Sequence, residues 1–154
     1  MARLSAGIVL VDILRDPPEI LLVHPGGPFW RNKDDGAWSI PKGEHDAEED
    51  AEQAALREFG EELGSPCPDG QRIDLGQIRQ AGGKTVSAWA VAGRIDTEAI
   101  ESNTFEIEWP PRSGRRQSFP EADRAEFFPL PVALQKVVPG QRPLLERAVA
   151  ALSG

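Results

Sequence analysis

The sequence predicts an α+β domain, a mixed α/β sandwich in which short strands surround one long helix. Three observations predict it. Short apolar runs of strand character outnumber helical patterns, and the stretch from Asp50 to Leu63 alone carries long helical periodicity near the centre of the chain. The 14 Pro and 15 Gly among 154 residues place breakers between nearly all of these segments.

Taken in order, Ser5 to Leu14 reads as a buried strand. Glu19 to His24 is its partner after the turn at Asp16-Pro17-Pro18. Pro25 to Gly36 is a loop, and Ala37 to Ile40 a short strand stopped by Pro41. The helix of Asp50 to Leu63 ends at Gly64, which suits the left-handed position after a helix. Arg72 to Gln80 and Lys84 to Arg94 read as strands separated by Gly82-Gly83. Thr104 to Trp109 is a strand ended by Pro110-Pro111, Arg112 to Pro120 a basic loop, and Arg124 to Phe128 a further short strand. Pro143 to Leu152 closes the chain as an amphipathic helix with Pro143 in its first turn.

Composition narrows the class. Apolar residues make up 40% of the chain, enough for a core and against disorder as a whole. The longest apolar run, Gly7 to Leu14, is broken by Asp12 and lacks the flanks of a signal peptide, so neither a membrane partner nor export is expected. The lone Cys67 excludes a disulfide framework. A cytoplasmic address and one domain over residues 1–154 are the expectations. Net charge is −8, and residues 44–62 alone hold nine acids against Arg57. The rest of the chain is balanced, which speaks against generic nucleic-acid binding.

The acidic segment has a geometry. At about 100° per residue, Glu58, Glu61 and Glu62 share one helix face, within about 60° on either side of Glu58. Ala55, Leu56, Phe59 and Leu63 form the apolar stripe directly beside it. Like charges at i, i+3 and i+4 cost a few tenths of a kcal/mol per pair, and Gly60 in the same turn costs about 1 kcal/mol more. A hard divalent cation with oxygen ligands would relieve the first cost. A solvated acidic face is the plain alternative for such a triplet taken alone.

The triplet does not stand alone. From Gly43 the chain reads Gly, five residues, Glu49, seven residues, Arg57-Glu58, the hydrophobe Phe59, one residue, Glu61-Glu62, one residue, Gly64. This resembles the Nudix box, the signature of hydrolases that cut a nucleoside diphosphate linked to another group. The box spans 43–65, and Ser65 departs from the usual aliphatic residue at its end. Outside the box, Trp38-Ser39-Ile40-Pro41-Lys42-Gly43 is similar to the strand that enters it, and its Pro-Lys-Gly form is similar to that of dinucleoside polyphosphate hydrolases. Gly83-Lys84-Thr85-Val86 with Trp89-Ala90, and Pro120-Glu121 with Phe127, are similar to later segments of diadenosine tetraphosphate hydrolases.

The resemblance implies a Nudix fold, an αβα sandwich with a mixed sheet and the box as loop-helix-loop. It implies Mg²⁺ or Mn²⁺ held by the carbonyl of Gly43 and the carboxylates of Glu58, Glu61 and Glu62; Glu121 is a candidate further ligand, weighed against an ordinary surface Glu after Pro120. Arg57 orients a catalytic Glu and pairs with Glu49, and Gly64 supports the helix end. The base is placed at Glu61, with Glu58 next. The implied partner is a small-molecule nucleotide polyphosphate, cut at one phosphoanhydride by water.

Around this centre, Lys42, Lys84, and the Arg112, Arg115 and Arg116 cluster are candidate phosphate contacts, each weighed against a solvated surface role. Arg31 and Lys33 pose the same question. Gly83-Lys84-Thr85 is not a P-loop, because the Gly required five residues before Gly83 is Ile78. Trp30, Trp89 and Trp109 suit packing better than base stacking. His24 and His45 are isolated, and Cys67, flanked by prolines, lacks a base. Two rivals come from other classes. A catalytically idle nucleotide-sensing Nudix module would have lost a box carboxylate, and none is lost. A Ca²⁺-binding loop would carry a central Gly that residues 44–55 lack. A Nudix hydrolase for sugar nucleotides such as ADP-ribose remains the alternative within the family.

Overall fold

The computed structural model describes residues 3–80, 82–98 and 100–153. Its main sheet is mixed. The strands are β1 (Arg3–Asp12), β2 (Glu19–Pro25), β3 (Lys42–His45), β4 (Ile73–Gln80), β5 (Lys84–Ala92) and β8 (Ala122–Pro129), in the order β4-β5-β1-β2-β8 with β3 also on β1. β1 and β5 run parallel, with Arg3 opposite Lys84 and Val11 opposite Ala92. The other pairings in this sheet are antiparallel.

β1 divides its second edge between two partners. Val11 and Asp12 meet Ile20 and Glu19 of β2 at one end, and Leu4 to Gly7 meet His45 to Lys42 of β3 at the other. The sheet therefore opens between β2 and β3, and the chain entering β3 fills the gap. Helix α1 (Ala51–Leu63) covers one face, where Ala6, Ile8 and Leu10 pack on Ala55, Phe59 and Leu63. Helices α2 (Leu130–Lys136) and α3 (Arg142–Ser153) cover the other, where Val9, Val11, Val86 and Ala88 pack on Leu144, Leu145 and Ala148. Alternation along β1 sends odd and even residues to opposite layers, and so builds the αβα sandwich.

α1 begins and ends as its residues dictate. Asp50 caps it, its carboxylate accepting from the Gln53 N–H at 3.1 Å. Gly64 takes φ 69° and donates to the Gly60 carbonyl at 2.8 Å. The carbonyls of Glu61 and Leu63 accept from the N–H groups of Asn103 and Glu101. Ser65 therefore leaves the helix end satisfied.

Two expectations are corrected, and one helix is added. Ala37–Ile40 is not a strand but makes isolated bridges, Ser39 to Val23 and Trp38 to Val137, because two different neighbours take its backbone groups within four residues. The second half of the expected basic loop is strand β7 (Arg116–Pro120). It pairs with β6 (Thr104–Glu108) in a separate hairpin, and its polar side chains hide the strand because both faces are largely exposed. α2 lies in a stretch to which the sequence reading assigns no element; its Pro131 is tolerated because it lies in the first turn. Among the described residues, no helix is long and apolar enough to cross a membrane.

Candidate functional site

The site lies along the outer edge of β3, where α1 leans over it. The Lys42 N–H points away from β1 and donates to Glu62 Oε2 at 3.1 Å. The Ile8 N–H donates to the Pro41 carbonyl at 3.1 Å, which makes Gly7 and Lys42 a non-hydrogen-bonded pair. In an extended strand the N–H and C=O of one residue point the same way, so the Lys42 carbonyl faces the carboxylates and the Gly43 carbonyl turns into the sheet. This corrects the placement of a free carbonyl at Gly43. What Gly43 supplies is space: a Cβ there would collide with the Glu58 carboxylate.

Arg57 organises the acids beside it. It grips Glu49 at two points, Nε to Oε2 at 2.9 Å and Nη2 to Oε1 at 3.0 Å. Its Nη1 donates to Glu58 at 2.9 Å and to Glu61 at 3.2 Å. The Glu49 bond holds Arg57 above its ordinary pKa, and in turn holds Glu49 below the usual carboxylate range. Asp46 shapes the loop that delivers Glu49, its carboxylate accepting from the N–H groups of Glu48 and Glu49.

The remaining acids feel burial and one another. Burial pushes Glu62 up to about 8 against the opposing Lys42, and the charges of Glu121 and Glu58 add to the rise. Glu58 is raised by burial, with Glu61 and Glu121 contributing. Lys42 is lowered by burial and then by Lys84.

A polar cavity of about 330 Å³ collects Lys42, Gly43, Glu58, Glu61, Lys84 and Glu121, together with Ser5, Glu44 and Asn103. An adjoining space of about 210 Å³, sharing Lys42 and Glu121 with the first, is lined by Glu62, Trp30, Ser39, Gln80 and Gln141 among others. Arg112 and Arg115 lie outside both linings, at the exposed tip of the β6–β7 hairpin, where the Arg112 N–H binds Glu108. Trp89 packs against the core layer under α1, and Trp109 stacks edge-on with Phe29 at 5.3 Å.

Sequence reasoning missed Ser5, Glu44, Asn103 and Gln141. Their approach depends on non-local pairing, Ser5 with Glu44 across β1–β3 and Gln141 with Ile40 at 2.9 Å, for which a local pattern carries no signal. His24 is structural, as expected. It is fully buried, its Nε2 donates to the Lys33 carbonyl at 2.6 Å, and its Nδ1 faces Asp123 at 2.8 Å.

The family model for the NUDIX domain matches residues 1–148. The chain belongs to the Nudix family. With that membership it is a Nudix hydrolase, and the box residues just described are its Nudix box.

Solved structures share the fold. An Ap4A hydrolase of C. elegans, as a binary complex, is 22% identical with a TM-score of 0.68, covering 97% of this chain and 98% of that one. The NUDIX domain of Shewanella oneidensis NrtR, complexed with ADP ribose, is 21% identical with a TM-score of 0.67, covering 99% and 89%. The E. coli ORF135 protein is 25% identical with a TM-score of 0.59, covering 99% and 91%. No curated protein matches the sequence significantly.

Proposed function

We propose that this Nudix hydrolase is a divalent-metal-dependent pyrophosphohydrolase that cuts a phosphoanhydride of a nucleotide polyphosphate, a dinucleoside polyphosphate or a nucleoside triphosphate. The observation that carries the reading is the cavity that sets Glu58, Glu61 and Glu121 together with Lys42 and Lys84. Oxygen donors for a hard cation and ammonium groups for phosphate share one space.

The donor set fits Mg²⁺ or Mn²⁺. All candidate ligands are oxygens: the Lys42 carbonyl and the carboxylates of Glu58, Glu61, Glu62 and Glu121. Glu58 and Glu62 are raised above their ordinary values partly by neighbouring acids, an arrangement that favours a cation between them. Among the described residues no three His, Cys, Asp or Glu side chains form a ready-made cage. Mg²⁺ does not require one, since it takes one or two carboxylates and completes its shell with water and substrate phosphate. Bound there, the ion supplies charge neutralisation at the phosphoryl oxygens.

The protein's own residues do the rest. Glu61, exposed and held at one side by Arg57, takes the proton of the attacking water, with Glu58 the next candidate. Arg57 acts through these carboxylates, fixing their direction from its anchor on Glu49. Lys42 and Lys84 hold the phosphate chain, and phosphoryl transfer needs little beyond such positioning and charge. The adjoining space, with Trp30 and Gln80 in its lining, has aromatic and amide groups that suit a nucleobase. That the C. elegans neighbour is an Ap4A hydrolase supports the dinucleoside reading. The ADP-ribose complex of the NrtR domain favours sugar nucleotides as the second reading. Product chromatography of a nucleotide panel incubated with Mg²⁺, with and without chelator, tests the assignment.

A further inference from the structure

One polar atom inside the fold has no explained role. Ser5 is 1% exposed, and among the described residues its Oγ is the buried side-chain polar atom without a hydrogen-bond partner. Buried hydroxyls are ordinarily paired, so an orphan beside a cavity points to a group that arrives from outside. Ser5 lines the polar cavity already described.

Strand register says what surrounds it. Ser5 stands between Glu44 of β3 and Val86 of β5, and the neighbouring pairs are Gly7 with Lys42 and Arg3 with Lys84. Alternate residues of a strand share a face, so Ser5, Lys42 and Lys84 lie on the same side of the sheet, away from α1. Both lysines line the cavity, and among the described residues neither forms a salt bridge. Glu44, the carboxylate on that face, is tied to Arg3 at 2.7 Å. One wall thus offers two ammonium groups and a hydroxyl, while Glu58 and Glu61 reach the cavity from α1.

We propose that the Ser5 hydroxyl joins Lys42 and Lys84 in an anion subsite that binds a phosphoryl group of the substrate on the far side of the cavity from the α1 carboxylates. The hydroxyl donates to a phosphoryl oxygen that also accepts from the lysines. This rests on the nucleotide polyphosphate reading and adds Ser5 to it as a substrate-binding residue.

The test is calorimetric titration of the wild type and Ser5→Ala with inorganic tripolyphosphate, beside melting curves and steady-state kinetics on diadenosine tetraphosphate. Loss of one hydrogen bond to a charged group should weaken tripolyphosphate binding roughly tenfold. KM should rise by a similar factor with kcat nearly unchanged. The variant should melt at the same temperature or higher, since it no longer buries an unpaired hydroxyl. Equal tripolyphosphate affinity in the two proteins, at whatever melting temperature, overturns the subsite, as does a wild type that binds no tripolyphosphate. Ser5-dependent tripolyphosphate binding in a protein that hydrolyses no nucleotide polyphosphate would uphold the subsite and sink the substrate reading. Hydrolysis with a Ser5-independent affinity would do the reverse.

Discussion

The carboxylate of Glu58 occupies the space that a side chain on residue 43 would need. Helix α1 and strand β3 meet there without an intervening Cβ, and the same contact lets Glu58 remain on Arg57 at 2.9 Å. Glycine at 43 is thus a packing requirement of the acid rather than a demand of backbone conformation.

Gly43→Ala should therefore displace Glu58 while sparing the fold, because Glu58 is half-buried and can swing toward solvent. A misplacement on the order of 1 Å at a reacting centre costs about 10²-fold in rate. Steady-state kinetics should show kcat/KM reduced on that order with a melting temperature within a few degrees of wild type. Unchanged kinetics would remove the contact from the mechanism.

Glu61→Gln and Glu62→Gln should each cut turnover by a factor on the order of 10² to 10⁴, as expected for loss of a base or metal ligand. Circular dichroism should show both folded. Glu61 is exposed, and Arg57 keeps Glu49 and Glu58 without it. A glutamine at 62 retains an oxygen for the Lys42 N–H. Unfolding of either variant would make these carboxylates structural.

Burial sets a pH dependence through Glu62, whose value is raised from 4.5 to about 8. Between those values the native state keeps a proton that the unfolded chain has lost, so stability falls as pH rises through the window. The slope is at most about 1.4 kcal/mol per pH unit. Denaturant melts in chelator should show this decline, and Glu62→Gln should flatten it. Mg²⁺ should oppose it by favouring the ionised carboxylate. A wild-type slope equal to that of the glutamine variant would deny Glu62 its buried proton.

Lys84 should matter more for long phosphate chains than for short ones. Lys84→Ala is expected to lower kcat/KM for diadenosine tetraphosphate about 10- to 100-fold, roughly 1.4 to 2.8 kcal/mol. The loss for ADP-ribose should be clearly smaller. Parallel kinetics on the two substrates check this, and equal losses would leave Lys84 without a role in reading chain length.

Much of this was legible in the sequence because it is local. The helix from Asp50 to Leu63, its end at Gly64 and the shared face of Glu58, Glu61 and Glu62 follow from spacing within a few turns. The Arg57–Glu49 grip, eight residues apart, is implied by the resemblance to the Nudix box rather than by spacing. What stayed hidden is non-local. β3 pairs with β1 across some forty residues, which turns the Lys42 carbonyl rather than that of Gly43 outward and brings Ser5 to the cavity. The β6–β7 hairpin has two largely exposed faces, so its second strand shows no apolar alternation and reads as loop. Arg112 and Arg115 are candidate phosphate contacts for their charge, and the hairpin carries them to its exposed tip, outside both linings.

The most direct test of a metal-dependent hydrolase acting on nucleotide polyphosphates is chromatography of diadenosine tetraphosphate incubated with the protein in Mg²⁺ and in excess EDTA. The account predicts mononucleotide products in Mg²⁺, none in EDTA, and recovery when Mn²⁺ or Mg²⁺ is restored. Full cleavage in EDTA would contradict the role given to the carboxylates, and a protein that cuts ADP-ribose in preference to every tri- and tetraphosphate would contradict the substrate.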